Sequence, residues 1–354
     1  MNNIKLVIYT TGESEFKSAI SKEAHKICTK ELKEYVVAAA KEAGIDSTAD
    51  DYILALDCSC PFITGSSLKN TINYHLNNGF GITAIVSADN TVAGYMFNNE
   101  NYTEEFSGIT ADGEFVVPDK NELFYIKNRV DLACAEKMMQ KVINEKHMLN
   151  GVTIHSPETV LISPDAQIGT DTEIYANVVI EGSTTIGKNV CITSNTKIVD
   201  SCIADGVSIQ SSVILNSEVG EDTTVGPFAY IRPNCVVGSN ARIGDFVELK
   251  NCNIGNGTKV SHLTYVGDAD VGEKCNFGCG TVTVNYDGKK KYRTVIGNNV
   301  FVGCNSNLVA PVTLKDGAYT AAGSTITDEV PENNLAIARA RQVNKTAWND
   351  RRKG

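Results

Sequence analysis

Aliphatic residues recur at every sixth position through most of the C-terminal half of the chain. Ile162, Ile168, Ile174, Ile180, Ile186, Ile192 and Ile198 keep the interval without a slip. It resumes at Val225, Ile231, Val237, Ile243 and Leu249, at Ile254, Val260 and Val266, and at Ile296, Val302, Leu308 and Leu314. A period of six matches neither the 3.6 of an α-helix nor the 2 of a half-buried strand. It predicts a parallel β-solenoid, in which each hexad supplies one short strand and one corner and the aliphatic fills the prism interior. Glycine follows many of these aliphatics, as in Ile168-Gly169, Ile243-Gly244 and Val302-Gly303, which suits a turn needing unusual backbone angles.

The first 126 residues carry another pattern. Ile4–Tyr9, Tyr52–Asp57 and Ile82–Ser87 read as strands, and Ser21–Ala43 and Ser66–Leu76 as helices. Such alternation predicts a small α/β layer on a parallel sheet. Residues 127–150 predict a linker helix stopped at Asn150-Gly151, and the solenoid occupies 151–330. A basic tail over 331–354 holds Arg339, Arg341, Lys345, Arg351, Arg352 and Lys353. One large interruption breaks the repeat: the polar segment NYDGKKKYRT, Asn285–Thr294. Loops that interrupt a strict solenoid are where function is usually carried.

Composition narrows the classes. The chain has 354 residues, room for two domains. Its opening, MNNIKLVIYTTG, reads as a buried strand and lacks the basic region and apolar run of a signal peptide. With 11 cysteines and no such leader, free thiols in a reducing cytoplasm are expected. Cys58/Cys60 and Cys275/Cys279 lack zinc-ribbon spacing and read as small core side chains. A net charge of −10 argues against nucleic-acid or membrane binding, so an anionic ligand needs a local cluster of cations.

Three hexads make one coil, so residues about eighteen apart stack at a strand spacing of roughly 4.8 Å. Arg232 and Lys250 each follow a core aliphatic one coil apart. Two cations so close repel unless an anion lies against them, so the pair is either a phosphate clamp or, helped by Glu248, a solvated basic patch. His262 is read as the repeat's only histidine, with His25, His75, His147 and His155 before it. In Val260–Tyr265, Val260 and Thr264 should point inward and His262, Leu263 and Tyr265 outward. Such a histidine suits general-base work near neutral pH. Asp245, seventeen residues back, should lie beneath it as an orienting carboxylate. A zinc enzyme of the three-histidine kind is disfavoured.

The segment from Arg232 to Leu314, with HLTYVGDA and NYDG inside it, closely resembles the acetyltransferase domain of the bacterial bifunctional N-acetylglucosamine-1-phosphate uridyltransferase/glucosamine-1-phosphate N-acetyltransferase family. The resemblance covers about 151–341. It implies a left-handed parallel β-helix of hexapeptide repeats, an exception to right-handed crossovers, and a homotrimer with active sites between subunits. It further implies that His262 is the catalytic base and that Arg232 and Lys250 hold the sugar phosphate, with Tyr265, Asn276 and Lys291 as further contacts. Glu248 belongs to this acceptor site, and Asn285 and Tyr286 lie near the reacting centre. Cys279, Cys304, Ala322 and Arg339 fall on acetyl-CoA positions, where Cys279 replaces the usual Ala and Cys304 the usual Ser. Backbone N–H groups or Asn285 would serve the oxyanion.

The same resemblance makes the N-terminal half a truncated, Rossmann-like nucleotidyltransferase domain, and one that looks disabled. Gly12, Lys17, Lys22 and His25 trace the triphosphate loop, but Glu15 stands where its arginine belongs. Ser59 falls on the magnesium-binding aspartate and Asp57 two residues early, while Asn128 remains as a second ligand. Magnesium would be needed only for residual uridylyl transfer. The expected activity is acetyl-CoA-dependent acetylation of glucosamine 1-phosphate for UDP-N-acetylglucosamine and cell-wall precursors. A related acyltransferase acting on another amino sugar, and a non-catalytic paralogue, remain as alternatives.

Overall fold

The protein, described here by a computed structural model, is defined over residues 3–45 and 51–348; Arg351, Arg352 and Lys353 of the basic tail lie outside the described residues. Contacts divide the chain into two units, residues 1–143 and 144–354.

In the second unit the hexads form strands of mostly two or three residues that stack into three parallel sheets of 9, 11 and 10 strands. Ile198 pairs with Ile214, Ile214 with Ile231 and Ile231 with Leu249, so one coil takes 16 to 18 residues. These aliphatics are fully buried, each contributing roughly 2 kcal/mol of transfer free energy.

The glycines after the aliphatics serve another purpose than the one expected. Gly169 and Gly255 do not have positive φ. A Cβ on Gly169 would come 2.6 Å from the backbone of Gly187, and one on Gly255 2.5 Å from Gly272. They allow the backbones of successive coils to touch. Left-handed corners fall mainly to Asn and Asp, as at Asp200, Asn216, Asn234, Asn251 and Asp268, whose short polar side chains tolerate that region.

The first unit has a five-stranded sheet in the order Ile4–Tyr9, Tyr52–Asp57, Val92–Asn98, Ile82–Val86, Gly113–Val116. Its outer pairs are parallel, but Val92–Asn98 runs antiparallel to both neighbours. The sheet is therefore mixed and not parallel, because Asp89 and a left-handed Asn90 close a hairpin between its two middle strands. Helices Leu32–Glu42 and Gly65–Asn78 pack on one face through Val36, Ala40, Leu68 and Ile72, and Tyr102, Phe106 and Ile109 cover the other. The helix expected from Ser21 begins only at Leu32. Cys28 and Thr29 both have positive φ and turn a short ribbon, Lys26–Ile27 against Lys30–Glu31, as a two-residue hairpin requires. Glu31 and Glu34 then form a capping box. A long helix follows at Arg129–Leu149.

Candidate active site

Strands Arg242–Asp245 and Lys259–His262 lie side by side with Asp245 in register with His262. Gly244 permits this, since a Cβ there would meet the Ser261 carbonyl at 1.9 Å. The His262 Nδ1 lies 2.6 Å from Asp245 Oδ1. That hydrogen bond holds the Asp245 carboxyl below the usual carboxylate range, opposed by partial desolvation and aided by Arg242. An ionised carboxylate can only accept, so Nδ1 carries a proton, and in the neutral imidazole Nε2 is left to offer its lone pair. The imidazole is 52% exposed and stands beside exposed Leu263, while Val260 and Thr264 point inward. His262 is not alone in the repeats: His155 belongs to the first coil, whose strand Thr153–Ile154 pairs with Glu173–Ile174, and its ring stacks on Tyr175 at 4.5 Å.

Above His262 the same corner continues through later coils. Val260 pairs with Phe277, Phe277 with Val302, and Val302 with Thr320. Two residues beyond each lie His262, Cys279, Cys304 and Ala322, in one file along the prism. The ladder is continued by Asn305 N–H donating to Cys279 and Gly323 N–H to Cys304, both at 2.8 Å. Arg339 borders its far end, its Cδ 3.7 Å from the Cβ position of Gly323. Cys304, Ala322 and Arg339 are exposed and Cys279 half-buried.

The next face carries the residues expected to hold an anion. Tyr230, Glu248 and Tyr265 are in register on three successive coils; Arg232 directly follows the first of these strands and Lys250 ends the second. Arg232 Nη1 donates to Glu248 Oε1 at 2.9 Å. Lys250 is held below lysine's ordinary value, first by Lys291 within hydrogen-bonding reach, then by desolvation and by the charges of Lys291 and Arg232, with Asp268 opposing. Three cations thus converge where the polar loop leaves the prism. The loop is a hairpin with Tyr286 bridged to Lys291, and Asp287 Oδ1 accepts from the Lys289 and Lys290 N–H groups at 2.7 and 2.6 Å.

The residues singled out in the sequence are therefore brought together in part. Arg232, Lys250 and Lys291 share one end of a face, with Glu248 at the start of its strand and reached by Arg232. Tyr265 lies on that face, and His262 stands at the corner before it. Asn276 belongs to the preceding face, between Lys259 and Phe301. Tyr286 is exposed, and its hydroxyl donates to the Gly288 carbonyl. Asn285 is only 8% exposed, and its amide donates to Tyr265 Oη at 3.3 Å and to Asp268 Oδ2. Sequence reasoning missed Asp268, which also accepts from Asn251 at 2.6 Å, and the pairing of Arg293 with Asp270.

In the first unit Asp57 closes the end of its strand. It is 2% exposed and accepts from Thr11 Oγ1 at 2.7 Å, Tyr125 Oη at 3.1 Å and the Ser59 N–H at 2.9 Å. Lys22 is buried between the Phe16 and Tyr125 rings and donates to the Thr11 carbonyl. Burial holds its ammonium below lysine's ordinary value against the pull of Asp57. Asn128 caps the long helix, accepting from Val130 and Asp131 N–H. A magnesium ion does not fit this set: Ser59 brings no charge, Asp57 is satisfied by the chain's own donors, and Asn128 is engaged.

A family profile described as the GMPPB C-terminal domain matches residues 215–303, and one described as bacterial transferase hexapeptide (six repeats) matches 293–328. The bifunctional protein GlmU of Clostridium acetobutylicum is 38% identical over 453 aligned positions that span 99% of each chain. That of Clostridium beijerinckii is 52% identical over 284, covering 78% of this chain and 62% of its own length. The chain thus spans between half and about three fifths of the first curated relatives it matches. A Francisella novicida UDP-N-acetylglucosamine acyltransferase structure is 16% identical with a TM-score of 0.38, over 52% of this chain and 67% of that one. The second unit is a left-handed parallel β-helix of hexapeptide repeats. No helix among the described residues is long and apolar enough to cross a membrane.

Proposed function

This chain belongs to the family of bifunctional GlmU proteins, and we propose that it transfers the acetyl group of acetyl-CoA to the amine of glucosamine 1-phosphate. The product, N-acetylglucosamine 1-phosphate, would feed UDP-N-acetylglucosamine synthesis. One observation carries this reading: the Asp245–His262 pair leaves a basic Nε2 at the foot of the file formed by Cys279, Cys304, Ala322 and Arg339. Small side chains along that file leave room for the extended arm of coenzyme A, and Arg339 faces its phosphates.

The chemistry balances without a metal-bound nucleophile. The neutral amine attacks the thioester carbonyl while His262 Nε2 takes its proton, and Asp245 stabilises the imidazolium. Collapse of the tetrahedral intermediate breaks the carbon–sulfur bond, and the proton passes to the departing thiolate. Arg232, Lys250 and Lys291 hold the sugar phosphate, with Tyr265, Asn276, Glu248 and Tyr286 completing the acceptor site. The Asn285 amide is engaged with Tyr265 and Asp268, so its part is to position them, and backbone N–H groups serve the oxyanion. His262 and the three cations stand at two ends of one face, an arrangement that suits a site completed by a neighbouring subunit in a homotrimer.

Uridylyl transfer is lost in this reading. Its support is the occupied Asp57, the uncharged Ser59, and an alignment of 453 positions to which at most the chain's 354 residues contribute, leaving at least 99 unfilled. The test is coenzyme A release from acetyl-CoA with glucosamine 1-phosphate, scored against unphosphorylated glucosamine. Absence of phosphate-dependent release removes the acetyltransferase assignment. Magnesium-dependent turnover of UTP with N-acetylglucosamine 1-phosphate removes the claim of loss.

A further inference from the structure

The polar loop carries four cations, Lys289, Lys290, Lys291 and Arg293, and only the last is tied down by its whole head group. Arg293 Nε and Nη2 donate to the two carboxylate oxygens of Asp270 at 2.5 and 2.6 Å. Nη1 donates to the Asn251 carbonyl and Nη2 also to the Ala269 carbonyl, both at 3.2 Å. With four of its five N–H groups so engaged, this guanidinium keeps a single Nη1 donor and cannot present its fork to a substrate anion, and the pairing holds the Asp270 carboxyl below the usual carboxylate range. Two residues earlier, Lys291 is bridged to Tyr286 at the neck of the loop and its charge bears on Lys250, a like-charge neighbourhood that favours neither ammonium. At the other end of the loop, Asn285 and Asn251 both donate to the buried carboxylate of Asp268.

We propose that Arg293, locked to Asp270, is the positioning residue that holds Lys291 in the anion clamp against its repulsion from Lys250 and Arg232. Asp268 and Asp270 are the fixed counter-charges of that clamp, and Asn285 fastens the opposite end of the loop. Arg293 touches no substrate. The inference rests on the acceptor site of the proposed acetyl transfer for its substrate, but the anchoring concerns anion binding and can be read without turnover.

The experiment is calorimetric titration of the full chain with glucosamine 1-phosphate and, separately, with inorganic phosphate, beside steady-state kinetics. Arg293→Met should weaken both anions about tenfold and raise KM for glucosamine 1-phosphate by a similar factor, with kcat and KM for acetyl-CoA within about twofold. Asp270→Asn, which attacks the same lock from its other side, should reproduce the shift. Arg293→Lys, which keeps the charge and loses the fork, should fall between. Lys291→Met should weaken the anions comparably, and adding Arg293→Met to it should cost little more. Anion affinity unchanged in both Arg293→Met and Asp270→Asn overturns the proposal, as does a parallel loss of kcat and both KM values, or no anion binding by the parent chain. Lock-dependent phosphate binding without acetyl transfer would sustain the anchor and sink the acetyltransferase reading.

Discussion

The two units each place an aspartate at a strand end, and the two carboxylates are used in opposite ways. Asp245 reaches one coil onward to a half-exposed imidazole, whose second nitrogen has no partner among the described residues. Asp57 is surrounded by donors from its own chain, with Lys22 sealed under two aromatic rings beside it. A catalytic group needs one valence left open toward solvent. In the solenoid the carboxylate creates that opening by fixing a tautomer, whereas in the α/β unit hydroxyls and a backbone N–H consume it.

The contrast can be broken most sharply at the imidazole. His262→Ala should lower kcat for coenzyme A release about a thousandfold while circular dichroism stays unchanged, because the side chain is half exposed and packs against no core. Asp245→Asn should lower kcat roughly 10- to 100-fold, since an amide can donate to Nδ1 and favour the wrong tautomer; an unchanged rate would make that contact decorative. Asp57→Asn should leave acetyl transfer within about twofold and destabilise the first unit by about 1–3 kcal/mol in denaturant unfolding, as buried donors lose part of their acceptor.

The smallest expected effect is on pH dependence. Lys291 and Arg232 disfavour the charged form of Lys250, and a bound phosphate favours it. Rising pH therefore removes the Lys250 proton earlier than in an ordinary lysine, and KM for glucosamine 1-phosphate should climb below pH 10.5. Lys291→Met takes away the first cause, so the climb should move to higher pH. A profile that stays in place would separate the two lysines.

What could be read in advance follows the coil. Asp245 and His262 are seventeen residues apart, one full coil, so their contact was expected from spacing alone. Arg232 and Lys250 stack for the same reason. Asn251, Asp268 and Asn285 also stand seventeen apart, but corner asparagines recur through the repeat, and nothing in their spacing marks these three as a hydrogen-bonded set. Arg293 and Asp270 lie twenty-three apart across the loop, where no ladder relates them. In the α/β unit Ile4–Tyr9 and Tyr52–Asp57 were plain apolar runs. The hairpin at Cys28-Thr29 was hidden because neither residue belongs to the usual left-handed types, and its strands are only two residues long.

Most coils advance by 16 to 18 residues, yet from Phe277 to Val302 the step is 25, and the ladder resumes in register on the far side. Each rung of the ladder bonds its backbone only to its neighbours, so a detour of this length leaves the stacking on either side intact. Its side chains reach further, since Arg293 grips the Asn251 carbonyl two coils back. An engineer exchanging the excursion could keep the spine but would have to rebuild those tethers with it.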